Sequence, residues 1–448
     1  MLIILIALTA VVGYTTVRWG GVDHADQFFY LFALALVALA AAVWPFKSRA
    51  PRLNPVYRYI FPLLPLYAAF QIAPLPVSWV VALSPARAQG IDALASIGIA
   101  PPYATLSVFP TGTRNHLVLL CGYIAIFLLI RQLSAAFSNR PWILVIPLLL
   151  IASWEALLGI VQYALGTPGT VANGNYANRN HFAGLLELVL PIAAAGPLVF
   201  LRKHNVREGL STADALKTAA LWTLSAAFLV AIIFSQSKMG FIASLFSLLV
   251  VGILAVVTKA HTFPSRRNVA LVMAGVVTVA GLAFIFLPTD ELIRRYAVAV
   301  TETNEKGAPD ETRLGDWRET IPLIRAYPVF GCGLGGYFAA FAKVKTVTPM
   351  MTAEFAHNDY LQITAEAGFI GAAMLLAIVA VTLRNTLRRA FSTTRPATWA
   401  LALGCTGALC AILLHSTVDF NLYVPANAMI VSWIAALSSG EGNVKQQA

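Results

Sequence analysis

The chain has 448 residues, 58% hydrophobic and only 11% charged, with a formal net charge of +11. Soluble globular domains use roughly one-quarter charged residues, so this composition excludes a soluble fold and requires a protein that lives in a bilayer. Four cysteines, three in apolar runs and Cys332 in a polar stretch, offer neither a disulfide framework nor a zinc pattern.

Apolar runs near the ~20 residues that cross a hydrocarbon core recur at about 1–17, 27–45, 59–73, 115–131, 141–163, 181–201, 218–235, 239–257, 268–287, 366–383, 398–417 and 422–437. Backbone groups in lipid must bond within their own segment, and a barrel would show short alternating strands. The reading is therefore an all-α polytopic membrane protein with about 12 transmembrane helices. Pro62, Pro65, Pro74 and Pro76 make the run at 59–73 the weakest. The first run lacks a basic leader and reads as a retained helix.

With the N-terminus in the cytoplasm, inside loops hold most of the basic residues, among them Arg49, Arg52, Arg58, Arg207, Arg266, Arg267 and Arg388, while short outside loops keep Arg18, Arg87, Arg114, Arg179 and Lys238. Both termini are then cytoplasmic. This topology accounts for the positive charge, which gives no argument for nucleic acid. Three regions follow: 1–287 with helices one to nine, 288–365 as an outward loop subdomain with amphipathic helices, and 366–448 with helices ten to twelve and a cytoplasmic tail.

Polar groups concentrate at the outward face. After the fifth span, GTPGTVANGNYANRNHFAGLLELVLP runs into a helix, with Asn178, Arg179, Asn180 and His181 clustered at the membrane boundary. Asn caps helices well and Arg tolerates the headgroup layer, yet four successive hydrogen-bonding side chains exceed what a cap needs. In FSQSKMGFIASL, Lys238 follows a tight hairpin and opens a helix whose free N–H groups favour an anion.

The polar interruption between spans nine and ten carries Arg313, whose fork suits phosphate. Beyond it Leu314, Trp317, Ile321 and Ile324 form the apolar stripe of an amphipathic helix that ends at Tyr327-Pro328, with Asp316, Arg318, Glu319 and Arg325 pointing elsewhere. Gly331-Cys332-Gly333-Leu334-Gly335-Gly336 formally satisfies GxGxxG, but no βαβ frame surrounds it. It reads as flexible backbone free to approach a ligand or the bundle.

His357 and Asn358 then open another helix, on which Asn358, Gln362 and Glu366 make a polar stripe beside Tyr360. An imidazole facing outward can take a proton from an attacking hydroxyl. Where span eleven surfaces, LHSTVDFNLYVPANA offers His415, Asp419 and Asn421 to orient groups in a site or to cap a turn.

SQSKMG, TRLGDWRETIPLIRAYPVFGCGLGGYF and HNDYLQITAEAGFIG together resemble the O-antigen ligase and polymerase family of bacterial envelope glycan enzymes. The resemblance extends to NRNHFAGLLELVLP and YATLSVFPTGTRNHLVLL and covers roughly 100–435. It implies a GT-C-type glycosyltransferase of the bacterial inner membrane that takes a glycan from undecaprenyl diphosphate at the periplasmic face and passes it to an acceptor hydroxyl. Arg313 and His357 match the family's loop arginine and histidine, and Lys238 stands where the ligases have arginine, which keeps the charge and loses the fork.

The expected catalytic set is His357 as base with Arg313 and Lys238 on the diphosphate. Arg179, Asn178, Asn180, His181, Trp317, Asn358, Tyr360, Gln362, His415 and Asp419 are the expected substrate-binding residues. Transfer is expected to be inverting, with no cofactor and no metal. The favoured acceptor is lipid A-core. The alternatives are another lipid-linked repeat unit, a protein hydroxyl, and, in a different class, a transporter of lipid-linked sugars.

Overall fold

The computed structural model describes residues 1–43, 46, 50–203, 211–258, 312–345 and 353–439, with the side chains of 202–203 and 312–314 excepted. The run predicted at 268–287 and the tail beyond 439 lie outside these residues.

Among the described residues, eight helices are long and apolar enough to cross a membrane: His24–Val43, Pro110–Ala136, Pro141–Leu165, Arg179–Leu201, Thr212–Phe234, Lys238–Val257, Asp359–Ser392 and Pro396–His415. Three more predicted runs are helical but shorter or interrupted. Leu2–Val17 has 16 residues, Pro425–Ser439 has 15, and Pro55–Ile72 has 18 with Pro62 and Pro65 inside it. The chain is a nearly all-helical, multi-pass membrane protein, and the expected twelve spans are not reached by length and composition among the described residues. One feature absent from the sequence reading is a two-residue antiparallel pairing of Leu75–Pro76 with Tyr103–Ala104.

Side-chain caps start the helices that matter most. Asn178 accepts from Asn180 N, Ser237 from Gly240 N, and Asn358 from Tyr360 N and Leu361 N, each satisfying a donor that the first turn leaves free. The Arg179–Ala195 helix is the hub. Every residue from His181 to Ala193 is buried, as expected of a helix apolar on nearly all sides. It packs against Pro396–His415, Thr212–Phe234, Lys238–Val257, Ile146–Leu165 and Pro425–Ser439.

Small residues permit this closeness. A Cβ at Gly404 would stand 2.6 Å from Ile192 Cα, one at Gly407 2.8 Å from Pro191 Cβ, and one at Gly240 2.5 Å from Ala183 Cβ. Without a hydrophobic drive between helices in lipid, such close backbone approach supplies the dispersion that holds them.

The Asp359–Ser392 helix breaks at Gly368, whose φ is 61° and ψ −174°. A broken helix in a membrane must find other partners for its freed backbone groups, and here the glycine loop supplies them. Cys332 N donates to Ala365 O at 2.9 Å, Gly333 N to Glu366 O at 3.0 Å, and Phe369 N to Pro328 O at 2.8 Å. Gln71, fully buried, joins the seam through Nε2 to Phe330 O and Glu366 O and through Oε1 to Leu334 N. The expectation of a flexible loop is thereby corrected: 331–336 is packed backbone that repairs a helix break.

A second correction concerns the amphipathic helix, which spans Thr312–Ala326. Its buried face carries Glu319, Thr320 and Leu323, while Ile321 is exposed. Polar anchoring rather than the apolar stripe sets its rotation. Thr320 Oγ1 lies 2.8 Å from Tyr337 Oη, and Trp317 Nε1 donates to Ala356 O at 2.8 Å.

At Gly331 φ is +72° and a Cβ would meet Glu366 O at 2.2 Å, whereas at Gly98 φ is +82° in open space. Gly331→Ala should therefore lower the thermal unfolding midpoint in detergent clearly more than Gly98→Ala, which bears only the left-handed penalty of about 1–2 kcal/mol. Equal shifts would mean that the seam does not hold the break.

Candidate active site

Three buried carboxylates, Glu187, Asp359 and Asp419, and three histidines, His181, His357 and His415, gather at one end of the bundle. The loop leading into the hub helix is folded back first. Buried Glu155 accepts from Asn175 N at 2.8 Å and Asn175 Nδ2 at 2.9 Å, and Gln162 holds Gly174 through both its N–H and its C=O. Asn178 is thereby presented as the cap and Arg179 as the first helical residue. Lys238 likewise follows its cap Ser237 at the first helical position. Through Gly240 and Ala183, the first turns of these two helices lie against each other, so two cations stand at adjacent helix N-termini, where the backbone itself carries partial positive charge.

Asp419 is the centre. Its Oδ2 accepts from Asn180 Nδ2 at 2.8 Å. Its Oδ1 faces His181 Nε2 at 3.5 Å and His357 Nδ1 at 3.7 Å, and accepts from Phe420 N at 2.9 Å. Burial pushes the Asp419 carboxyl up, but His181 and His357 beside it and the charge at His415 more than offset this and hold it well below the usual carboxylate range.

His357 has φ 48°, in the left-handed region that non-glycine residues seldom occupy. The conformation is held from three sides. Trp317 fixes Ala356 O, Gln362 Oε1 accepts from Ala356 N at 2.6 Å, and Asn358 Nδ2 donates to Thr417 O at 2.8 Å. Phe420 sits edge-on to both imidazoles, with ring centroids 4.6 Å from His181 and 4.9 Å from His357, and Phe355 stacks on it at 4.0 Å. With Nδ1 turned to Asp419 and a side chain 33% exposed, His357 keeps its other ring nitrogen for a ligand.

The expected residues thus divide by role. His357, His181, Asn180 and Asp419 come together as one constellation. Asn178, Asn358, Trp317 and Gln362 shape the backbone around it, and Gln362 is fully engaged, since Nε2 also donates to Glu366 Oε1 at 3.0 Å. Tyr360 is exposed, with its hydroxyl on Leu413 O. His415 is 0% exposed and bonded to Glu187 at 2.9 Å, so it faces the interior and not a ligand. Arg313 lies on the Thr312–Ala326 helix, and its side chain is outside the described residues.

Sequence reasoning missed Glu187, Glu155, Gln71 and Phe420. A single acid in an apolar span, as in GLLELVLP, is itself a signal of function in a membrane protein, and it would have found the two glutamates. Nothing in the local sequence singles out Phe420.

No curated protein matches the chain. The family model described as O-Antigen ligase matches residues 223–376, a stretch that takes in Lys238, Arg313 and His357 and leaves His181 and Asp419 on either side of it. Residues 223–376 therefore resemble the O-antigen ligase family, and the chain's long apolar helices make it a multi-pass membrane protein.

Proposed function

We propose that the protein transfers a glycan from undecaprenyl diphosphate to the hydroxyl of lipid A-core at the periplasmic face of the bacterial inner membrane. The carrying observation is the single carboxylate of Asp419 shared between His181 and His357, which gives His357 the orienting partner a general base needs. Within this reading the bundle is a GT-C-type fold of twelve spans, with both termini cytoplasmic and residues 288–365 forming the periplasmic subdomain.

The steps follow from charge. The acceptor oxygen attacks the sugar C1 from the side opposite the diphosphate, so the anomeric centre inverts. Its proton passes to the His357 nitrogen that faces away from Asp419. The bond between C1 and the phosphate oxygen breaks, and the lipid diphosphate leaves with the electron pair. Lys238, Arg179 and Arg313 meet the negative charge that grows on it, a stabilisation that costs no reorganisation when the donors are already in place. Adjacent helix N-termini at Arg179 and Lys238 support this assignment. A diphosphate is a good leaving group without protonation, so the reaction is proposed to run without metal or cofactor.

Removing the base should cost about 10²–10⁴-fold. His357→Ala is expected to lose that much kcat in a reconstituted transfer assay with little change in expression, and Asp419→Asn at least about tenfold through loss of the correct tautomer. Wild-type turnover in either variant would overturn the site assignment.

Because Asp419 is held well below the usual carboxylate range, its contribution to stability is present above its unfolded value of about 3.9 and is lost only as pH falls through the lower folded value. Wild-type stability in detergent should therefore stay level from neutrality down to about pH 4 as far as this group is concerned, and Asp419→Asn should lower the midpoint throughout that window. An Asn variant as stable as wild type at pH 7 would contradict the charge assignment.

Transfer should persist in excess EDTA; loss reversed by a divalent ion would refute metal independence. Supplying lipid A-core, a second lipid-linked repeat unit or a protein acceptor separately tests the acceptor. Product only from the second would make the protein a polymerase, and product only from the third a protein oligosaccharyltransferase. A His357→Ala protein that moved lipid-linked glycan across the bilayer as well as wild type, where wild type transferred nothing, would make it a transporter.

A further inference from the structure

Beneath the constellation around Asp419 lies a second titratable set that the proposed steps do not use. Glu187 and His415 are both 0% exposed, and Glu187 Oε2 lies 2.9 Å from His415 Nδ1. They sit on the two helices joined by the close packing at Gly404 and Gly407, with Glu187 six residues beyond His181 and His415 four before Asp419. His415 interacts electrostatically with Glu187, Asp419 and Asp359, and Glu187 interacts with Asp419. Asp359, also buried, takes the Ser416 hydroxyl at 2.6 Å. Glu187 Oε1, His415 Nε2 and Asp359 Oδ1 have no hydrogen-bond partner among the described residues.

Three carboxylates in one buried layer repel one another and require a positive charge between them. His181 and His357 face Asp419, Ser416 gives Asp359 a neutral donor, and His415 interacts with all three carboxylates. Of the other titratable groups on elements packed against the hub, Glu155 is held by Asn175 and Lys238 heads its own helix. A pair whose purpose was adhesion would be replaced by apolar side chains without loss, and an ionisable pair at this depth is by default functional.

We propose that Glu187 and His415 form a positioning unit for the transfer reaction. His415, held as an imidazolium by Glu187 together with Asp419 and Asp359, supplies the buried positive charge that keeps Asp419 ionised, and so keeps His357 in the tautomer that receives the acceptor's proton. This rests on the reading of His357 as the base.

The test is the pH profile of kcat/KM for transfer from undecaprenyl-diphosphate-linked glycan to lipid A-core, measured for His415→Gln, Glu187→Gln and the double variant. Glutamine at either position retains a hydrogen bond to the remaining partner. Loss of the His415 cation leaves excess negative charge beside Asp419 and His357, both then hold protons to higher pH, and the acidic limb should move up by about one pH unit. Loss of the Glu187 anion leaves His415 facing Asp359 and Asp419, and the limb should move down. The double variant should return it toward the wild-type position. Limbs that stay in place, or that move the same way in both single variants, overturn the proposal. If His415→Gln does not accumulate in the membrane, Glu187→Gln decides alone: a downward shift supports the unit, and an unmoved or upward limb refutes it. His357→Gln run in parallel separates the two levels. Wild-type activity there removes the base assignment itself, while its inactivity alongside unmoved limbs removes only the Glu187–His415 unit.

Discussion

Asp419 is the interaction on which the arrangement of this end of the bundle depends. Through one carboxylate it joins Asn180 and His181 at the start of the hub helix to His357 in the segment before the next long helix. Its carbonyl oxygen also accepts from Asp359 N at 3.2 Å. Elements separated by more than two hundred residues in the chain are thereby fixed to one another by a group that is itself 1% exposed. A buried carboxylate persists only when it is paired and hydrogen-bonded, so the donors Asn180 Nδ2 and Phe420 N, with the two imidazoles facing it, are what make this acid tolerable. Stability and geometry are here one requirement.

The same logic governs the broken helix. Gly368 interrupts the Asp359–Ser392 helix, and the backbone groups that lose their helical partners are taken up by residues 328–333 and by Gln71. Glu366, one turn beyond Gln362, accepts from Tyr337 N and from Tyr423 Oη at 2.8 Å. Those bonds run back through Gln362 to Ala356, next to His357. The strain of a positive φ at His357, of order 1–3 kcal/mol for such conformations, is thus opposed by a network that begins at the helix break. Lining up the glycine loop and the polar stripe of Asn358, Gln362 and Glu366 gives them a common purpose, which is to hold the residue between them.

Much of the fold was legible because lipid imposes a single pattern. Apolar runs of sufficient length read as helices, and among the described residues the predicted runs are helical. The gathering of Asn180, His181 and His357 was also legible, since polar clusters at the ends of apolar runs stand out against them. What escaped was set by tertiary contact. The rotation of the Thr312–Ala326 helix could not be read from its apolar spacing, because Thr320 and Trp317 find polar partners that outweigh the exposure of Ile321. Nor could the rigidity of 331–336, since glycines that permit motion in one setting permit close backbone packing in another. Glu187 was overlooked by averaging: one acid hardly changes the hydropathy of a twenty-residue window, yet it is fully buried against His415.

Under the proposed reading, the location of the site follows from the chemistry of its donor. A lipid diphosphate has a hydrocarbon chain that must stay in the bilayer and a charged headgroup that must not enter it. A protein that acts on the bond just beyond that headgroup needs its cations at the membrane boundary and its base a few ångströms farther out. Helix N-termini at the boundary offer the first, because Arg179 and Lys238 add full charges to backbone groups already positive there. The second requires irregular backbone outside the span. His357, at positive φ between a loop and a helix cap, meets that need. Such a base cannot be placed by its own segment, and a carboxylate anchored in the bundle is the economical way to aim it. The shared Asp419 is therefore what an amphipathic donor would demand of a helical membrane scaffold.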